Sequence, residues 1–281
     1  MQRHLISFAD SKFKKSLERL KNQAEEMNCF DQIHMYSEKD LDPEFINQFP
    51  SGFFNSKGFG YWCWKPYLVK KTFNKINSGD QVMYLDAGCH LNINGKHVLL
   101  EYFDTAERHP SKMLTFSPFA TEEFPDNYFM SAKKYHDRLW TKQAVKDHFK
   151  ITEHKYLDTP TIGAGIFIVG KNKKNEDLID QWLQICTKHP YLIDDSPSKN
   201  KEEDAFIANR HDQSIFSYLC KRHETALRSA YEYFYINRLG LRHWFAHQHY
   251  PIHVKRDLGF REKFKRRLTW ALKKIGMTHS V

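Results

Sequence analysis

The sequence predicts an α/β fold in which helices cover a sheet whose first strands run parallel. Short apolar runs alternate with amphipathic, helix-length segments, in the order strand, helix, strand, helix, strand, within about the first ninety residues. This alternation is typical of parallel sheets. The chain has 281 residues, 41% of them apolar, which is enough for one sizeable core. Its apolar runs are far shorter than the ~20 residues of a membrane-spanning helix.

The first five elements follow from apolar spacing. The continuous apolar run HLISFA over residues 4–9 favours a buried strand, and the 3.6-residue period over 11–27 favours a helix. Pro66 suits the first turn of a later helix, because its missing N–H has no helical partner there. In chain order the prediction is a strand over 4–9, a helix over 11–27, a strand over 32–37, a helix over 66–76 and a strand over 81–86.

The second half is predicted from the same signals. Residues 134–149 predict one helix and 175–188 a further helix. Residues 161–170 predict a central strand that begins with small residues. The stretch 211–222 predicts a helix with Asp212 at its N-cap or in its first turn. Residues 194–204, which are rich in charge, Ser and Pro, predict a mobile surface loop.

The positive charge of the chain is concentrated at one end. The net charge is +9, and residues 254–281 contain nine Lys or Arg against two acidic residues, leaving +2 for the remainder. An apolar stripe edged by cations in this tail predicts an amphipathic helix on an anionic membrane surface. A helix docked on its own domain is the alternative. We therefore expect a catalytic domain over 1–253 and a basic tail over 254–281.

The five cysteines are odd in number and form no CxxC pair, which argues against a disulfide framework and a cysteine zinc site. The first residues lack the apolar core of a signal peptide. We expect reduced thiols and a cytoplasmic protein, peripheral on the inner face of the cytoplasmic membrane.

Two aspartates follow predicted strands. Asp10 comes after the first strand and Asp86 after the third, and ligands of parallel sheets bind at this carboxyl edge. A carboxylate beside Gly88, where a backbone can approach a ligand closely, suits a divalent cation that bridges phosphates. A turn aspartate explains Asp86 equally well.

The stretch GFGYWCWKPY gathers aromatic rings and one cation before a helix. Tyr61, Trp62 and Trp64 could offer a stacking face, and Lys65 a charge for an anion near the helix start. A nucleotide with its phosphates, or a sugar ring, would fit. Core packing of the rings with a solvated Lys65 is the alternative.

The stretch RHDQS places His211 and Asp212 at the start of a helix, where they could supply a metal ligand, a base or an anion contact. A helix cap with a surface histidine is the plain alternative. In TIGAGIFIVG, the small residues Gly163, Ala164 and Gly165 open the central strand.

Taken in order, GFGYWCWKPYLV, GDQVMYLDAGCHLN, TIGAGIFIVG and RHDQSIFSYL resemble a family of bacterial glycosyltransferases of lipopolysaccharide, O-antigen and capsule biosynthesis. The likeness covers roughly residues 3–219. It implies a GT-A-like fold, with a Rossmann-type nucleotide-sugar-binding mixed sheet. It also implies transfer of a hexosyl group from a nucleotide-diphosphate sugar, expected to be a UDP-sugar, to a lipid-linked or lipopolysaccharide acceptor.

The resemblance also implies roles. Such enzymes commonly hold Mn or Mg with an Asp-X-Asp motif, but this chain has Asp86, Ala87 and Gly88, so His90, His211 or a water would have to complete a site. Asp86 and Asp212 are the expected catalytic residues, with Asp212 as base or sugar-orienting carboxylate, and Asp86 with His211 is the expected metal pair. Lys65 is expected to help neutralise the diphosphate, Asp10 to lie near the base or ribose, and the small residues to leave room for sugar and acceptor. The expected donor-binding residues are Asp10, Tyr61, Trp62, Trp64, Lys65, Gly163, Ala164, Gly165 and Gln213.

Two other classes remain open on the residues alone. One is a nucleic-acid-binding protein that uses the basic tail and aromatic stacking, although no nucleic-acid partner is expected for a transferase. The other is a metal-dependent phosphohydrolase built on Asp86 and His211.

Overall fold

Six strands form the central sheet and two more form a small ladder beside it. The computed structural model describes residues 1–238, 240 and 248–254. The strands are β1 Arg3–Phe8, β2 Gln32–Tyr36, β3 Gln81–Leu85, β4 His90–Leu91, β5 Met113–Ser117, β6 Ile166–Gly170, β7 Ala226–Ser229 and β8 Ile252–His253. The helices are α1 Lys14–Met27, α2 Pro43–Ile46, α3 Gly58–Tyr61, α4 Trp64–Phe73, α5 Lys96–Arg108, α6 Asp137–Trp140, α7 Gln143–Phe149, α8 His154–Leu157, α9 Lys173–Lys188 and α10 Asp212–Arg222. Short 3-10 turns lie at Ser11–Phe13, Glu38–Asp40, Phe53–Asn55, Ile93–Gly95, Ala132–Tyr135, Pro190–Leu192 and Ala230–Glu232.

The sheet is mixed, with the strand order β2-β1-β3-β6-β5-β7. β1 is parallel to both β2 and β3, β5 is parallel to β7, and β6 is antiparallel to β3 and β5. β4 pairs antiparallel with β8 in the separate ladder. The predicted α/β class, with a mixed sheet and flanking helices, is confirmed.

Alternate residues of β3 face two different helix layers, as the two-residue period of a strand requires. Tyr84 belongs to a buried cluster with residues of α4, α9 and α10, such as Trp182 and Phe216. Met83 belongs to a second cluster with residues of α1 and α5, such as Leu20. The sheet is therefore buried on both faces, which leaves its edges and strand ends for function.

One edge of the sheet brings the predicted motifs together. The backbone N–H of Asp86, just after β3, donates to the carbonyl of Gly165, just before β6, at 2.9 Å. Because β1 runs parallel beside β3, Asp10 leaves the sheet at this same edge. The carboxyl ends of β1 and β3 and the start of β6 thus meet at one edge of the sheet, and we call the surface between Asp10, Asp86 and Gly165 the crevice.

A left-handed turn precedes α4. All five residues from Gly58 to Trp62 have positive φ, including Phe59 at 53°, Tyr61 at 52° and Trp62 at 62°. Such angles cost roughly 1–2 kcal/mol for each residue with a side chain. The aromatic packing around this turn, where Phe59 contacts Phe8 and Phe54, offsets that cost.

The single helix predicted over 134–149 is wrong. The chain forms the end of a 3-10 turn, then α6 and α7, with Thr141 extended between them. Glu202 explains why a second helix, α7, begins at Gln143. Its carboxylate accepts the N–H of Gln143 at 2.7 Å, and in a continuous helix that N–H would instead donate to a carbonyl one turn earlier. Tertiary partners here outweigh local helical spacing.

The stretch 194–204 is irregular, as predicted, but it is fastened at both ends. Buried Lys142 contacts the side chain and carbonyl of Asp194 at 3.2 Å, and Glu203 pairs with Arg138 at 2.6 Å and Lys146 at 2.9 Å. These contacts argue against the predicted mobility of this loop.

The basic tail predicted as a membrane anchor lies outside the described residues, except for residue 254. Among the helices of the described part, none has the length and apolar character to cross a membrane.

Candidate active site

Lys65 lies where all four motif stretches meet. It is in the first turn of α4, followed by Pro66 as predicted, and it is 4% exposed. Its Nζ donates to the carbonyl of Ala164 at 3.1 Å and lies 3.4 Å from Asp86 Oδ1 and 3.6 Å from Asp212 Oδ2. Residues of the four motif stretches are thus adjacent in the fold.

Lys65 remains charged in this setting. Burial alone would lower its pKa, but the carboxylates of Asp212 and Asp86 outweigh burial and raise the pKa above its usual value. An ammonium has three N–H donors, and three acceptors surround this one. The contact with Ala164 is a hydrogen bond, whereas those with the two carboxylates are ion pairs at 3.4 and 3.6 Å. The expected help of Lys65 in neutralising a diphosphate stays a prediction.

Asp86 is the exposed member of the group. Its side chain is 43% exposed, while those of Lys65 and Asp212 are only 5% and 3% exposed. The hydroxyl of Tyr84 donates to Asp86 Oδ1 at 2.7 Å, so that oxygen is held from two sides. Asp86 is therefore the carboxylate that a ligand in the crevice can reach.

Gly165 makes room for Asp86 rather than for a sugar. A Cβ atom at this position would lie 2.7 Å from Asp86 Oδ2, closer than real Cβ contacts allow. Ala164 is fully buried, and its carbonyl is taken by Lys65. The expectation that these two residues leave space for substrate is corrected, because the carboxylate and the core fill that space.

Asp212 is a buried carboxyl group with unusual proton affinity. Burial raises its pKa to about 7, Asp86 adds to the rise, and the charge of Lys65 opposes it. Its Oδ2 is buried and makes no hydrogen bond to any described residue. Because it does not reach the crevice, Asp212 acts on Lys65 and Asp86 rather than on a substrate, which corrects its expected role as a base.

His211 is clamped between the aromatic stretch and a backbone carbonyl. Its Nδ1–H donates to the carbonyl of Ile193 at 2.7 Å, and its ring lies 5.0 Å from Tyr61 and 5.5 Å from Trp62 between centroids. Burial lowers its pKa, so the imidazole is neutral near pH 7 and Nε2 carries the lone pair. That nitrogen, 3.8 Å from Asp195 Oδ1, suits a hydroxyl proton or a metal better than a phosphate oxygen.

The aromatic residues of GFGYWCWKPY divide into two roles. Trp64 is 4% exposed and packs against Phe8 with ring centroids 4.0 Å apart, so its predicted stacking on a nucleotide is replaced by a place in the core. Tyr61 and Trp62 are half-buried, and their rings lie against that of His211. Their donor-binding role stays a prediction.

The described residues do not by themselves fit a divalent cation. No three His, Cys, Asp or Glu side chains among them converge on one point. The position between the carboxylates of Asp86 and Asp212, which a metal could occupy, is taken by the ammonium of Lys65. The predicted metal pair Asp86 and His211 stays a prediction, and no chemical step below passes through a metal.

Three other predicted residues lie around the crevice. Asp10 is half-buried, follows β1 and accepts the N–H of Lys12 at 3.2 Å. Gln213 donates from Nε2 to Thr161 Oγ1 at 3.3 Å, which fixes the start of α10 against the segment before β6. A Cβ at Gly163 would lie in ordinary contact with the hydroxyl of Tyr233 at 3.5 Å and the carbonyl of Phe116 at 3.6 Å, so the expectation that this glycine leaves room for the sugar stays a prediction.

His90, suggested as a completing ligand, lies in β4 opposite His253 of β8. It is part of the small ladder, and it belongs to no group of metal-ligating side chains among the described residues.

Two residues of the site were missed by sequence reasoning. Tyr84 precedes Asp86 by two positions, so the period of a strand places both on one face, and that spacing could have revealed it. Lys57 is exposed and close enough to His211 to contribute to its lowered pKa, and it forms no ion pair with any described residue. Nothing in its own sequence context marks Lys57, because its proximity arises from the left-handed turn.

Comparisons with known proteins give matches to solved structures only. The chain matches no protein-family model, and no curated protein matches its sequence. It is similar to a glycosyltransferase involved in the glycosylation of the major capsid of PBCV-1, with 10% identity over 96% of this chain and 100% of the other, and a TM-score of 0.49.

Two further similar structures carry related descriptions. One is the galactosyltransferase LgtC in complex with donor and acceptor sugar analogs, with 13% identity over 99% of this chain and 97% of the other, and a TM-score of 0.48. The other is mouse xyloside xylosyltransferase 1, with 11% identity over 91% and 96% of the two chains and a TM-score of 0.43. At these identities and scores, a function for this chain has to come from the geometry of its own site.

Proposed function

We propose that this chain is a glycosyltransferase. It would move a hexosyl group from a nucleotide-diphosphate sugar, a UDP-sugar by preference, to a lipid-linked saccharide in the synthesis of a cell-surface polysaccharide or lipopolysaccharide. One observation carries the proposal: Lys65 Nζ contacts the carbonyl of Ala164, 99 positions away, and lies within 3.6 Å of both Asp86 and Asp212. Residues of four stretches that resemble transferase motifs are thereby adjacent, which supports the proposal.

The chemistry requires a positioned carboxylate. In glycosyl transfer the bond between the anomeric carbon and the diphosphate oxygen breaks, a bond from the acceptor oxygen forms, and the acceptor proton passes to the departing diphosphate. We assign the substrate contact to Asp86, whose exposed Oδ2 can accept a hydrogen bond from a sugar hydroxyl. Tyr84 and Lys65 hold its other oxygen, so the carboxylate is oriented before substrate arrives.

The buried pair beneath Asp86 sets its electrostatic environment. Lys65 supplies a fixed positive charge below the carboxylate, and Asp212 balances that charge to a degree that depends on its own protonation. A charge in a water-excluded position acts more strongly than one in bulk solvent. Asp212 is thus a positioning residue in this proposal.

The donor is placed along the carboxyl edge of the sheet. Asp10, at the end of β1, would lie near the base or ribose, and Tyr61 and Trp62 would flank the nucleotide. Gln213 and Gly163 would border the sugar. Lys57, which is exposed and unpaired among the described residues, is the cation we place opposite the diphosphate.

The tail and the location of the protein extend the proposal. A basic amphipathic helix over 254–281 would hold the enzyme on the anionic inner face of the cytoplasmic membrane, where a lipid-linked acceptor is also held. Its composition supports this role, since it contains nine of the basic residues.

Donor turnover tests the proposal. A panel of UDP-, GDP-, CMP- and dTDP-sugars is screened with and without Mn for thermal stabilisation and for release of free nucleotide. One donor should raise the melting temperature, since a ligand of the folded state stabilises it. Asp86→Ala should abolish nucleotide release with little change in melting temperature, whereas the control Asp204→Ala, with its side chain 91% exposed, should keep both. Full activity of Asp86→Ala would refute the assignment.

A further inference from the structure

An aromatic and cationic surface adjoins the candidate active site and takes no part in the chemistry above. We call it the Trp140 face and define it by Tyr128, Lys134, Trp140 and Arg210. Trp140 donates from Nε1 to the carbonyl of Lys134 at 2.8 Å, and the guanidinium carbon of Arg210 lies 4.0 Å from the centre of the Trp140 ring. The Lys134 ammonium lies 5.2 Å from the Tyr128 ring.

The Trp140 face exposes groups that soluble proteins normally pair or bury. Tyr128 is 84% exposed, the highest value among the large apolar side chains of the described residues. Arg210 is exposed, and among the described residues its guanidinium forms no ion pair and stacks on the ring of Trp140. Contiguous exposed aromatic surface beside unpaired charge is typical of binding sites.

The Trp140 face is continuous with the crevice. Arg210 directly precedes His211, and its backbone N–H donates to the carbonyl of Trp140 at 3.0 Å. Thr161 links the segment before α6 to the start of α10. Its N–H donates to the carbonyl of Tyr135 at 2.8 Å, and its hydroxyl accepts from Gln213 at 3.3 Å. A ligand on this face would therefore extend toward the start of α10.

We propose that the Trp140 face is the acceptor subsite and that it selects an anionic saccharide, one that carries a carboxylate or a phosphate. The inference rests on the proposed function, which it deepens by naming the acceptor class. A planar guanidinium held flat on an indole presents its outer N–H groups as a fork, the geometry that matches carboxylate and phosphate oxygens. The exposed Tyr128 ring supplies an amphipathic surface for the body of a sugar.

Binding of three pyranosides tests the inference. Methyl glucuronide carries a carboxylate, glucose 6-phosphate a phosphate, and methyl glucoside no charge, and each is titrated against the full chain by calorimetry. We expect at least one anionic sugar to bind at least tenfold more tightly than methyl glucoside, since hydrogen bonds to charged groups are the stronger ones. The carboxylate and phosphate arms then distinguish an acidic sugar from a phosphorylated acceptor.

Arg210→Gln should erase this preference, and Arg210→Lys should restore part of it. The matched control is Arg222→Gln, because Arg222 is also an exposed arginine over an aromatic ring, that of Tyr218 at 5.9 Å, but lies at the far end of α10. It should keep the preference. Tyr128→Ala should weaken the binding of all three sugars.

Equal affinity for the three sugars, no binding of any of them, or a preference that survives in Arg210→Gln would each overturn the inference. Nucleotide release from the donor panel is measured on the unaltered chain in parallel. If nucleotide is released and the anionic preference is missing, only the acceptor subsite is wrong. If no donor binds or turns over, the proposed function itself fails.

Discussion

Asp212 makes the stability of this protein depend on pH in an unusual direction. Its carboxyl group has a pKa of about 7 in the folded chain against a reference value of 3.8. Between these values the folded state holds a proton that the unfolded chain has lost. The contribution of Asp212 to the free energy of unfolding is therefore fully present below about pH 4, decreases as pH rises toward 7, and is lost above pH 7.

The size of the effect follows from the pKa difference. Each pH unit inside the window changes the free energy of unfolding by about 1.4 kcal/mol. From pH 5 to pH 8 the native protein crosses about two such units, so the contribution of Asp212 falls by about 3 kcal/mol. Asp212→Asn removes this dependence, because the amide does not titrate.

Urea unfolding at pH 5 and pH 8 measures the difference. Relative to the unaltered chain, Asp212→Asn should gain about 3 kcal/mol on going from pH 5 to pH 8, although donor turnover should fall. Asp204→Asn is the matched control, since that side chain is 91% exposed and should show no such gain. If the unaltered chain and Asp212→Asn have parallel pH profiles, the buried carboxyl does not take up a proton near neutrality and the reasoning is wrong.

Three further outcomes are expected. Gly165→Ala places a Cβ 2.7 Å from Asp86 Oδ2 and should reduce transfer about a hundredfold by displacing that carboxylate. Gly88→Ala is the control and should remain active, because no atom lies within 4 Å of its added Cβ. Equal activity of the two variants would contradict the role of Gly165. Tyr84→Phe removes the 2.7 Å hydrogen bond to Asp86 and should lower kcat about tenfold to a hundredfold with donor KM little changed, and a normal kcat would mean that the hydroxyl does not orient the carboxylate. Deletion of 255–281 should abolish co-sedimentation with anionic vesicles, and neither the full chain nor the deleted form should co-sediment with neutral vesicles. Equal binding of both forms to anionic vesicles would remove the tail from the proposal.

The sequence predicted a helix or strand correctly where a single residue marks the helix start or where the apolar periodicity extends over many residues. The helix with Pro66 in its first turn, the helix over 11–27 and the strand before Asp86 are all present, because Pro geometry and regular burial act on the local chain. β5 and β7 were missed. They are short and acquire their strand character from pairing with each other and with β6, which the sequence alone does not display.

The site shows the same division. The resemblance implied that Lys65, Asp86, His211 and Asp212 serve one site, and Lys65 lies 3.4 Å from Asp86 and 3.6 Å from Asp212. What the sequence could not tell was which of the three is exposed. In the fold Asp212 and Trp64 are both buried. The sequence could not reveal this, because the exposure of a side chain depends on how distant segments pack.

The contacts of Lys65 also bear on how the protein is made. During translation Lys65 is synthesised well before its partners, because Ala164 follows 99 positions later and Asp212 later still. Until α10 has left the ribosome, the ammonium lacks one of its two carboxylate neighbours, so we expect a fragment that ends before α10 to be inactive. Enzyme activity would therefore report on completed translation and folding, and two separately expressed halves should gain activity only when they reassemble.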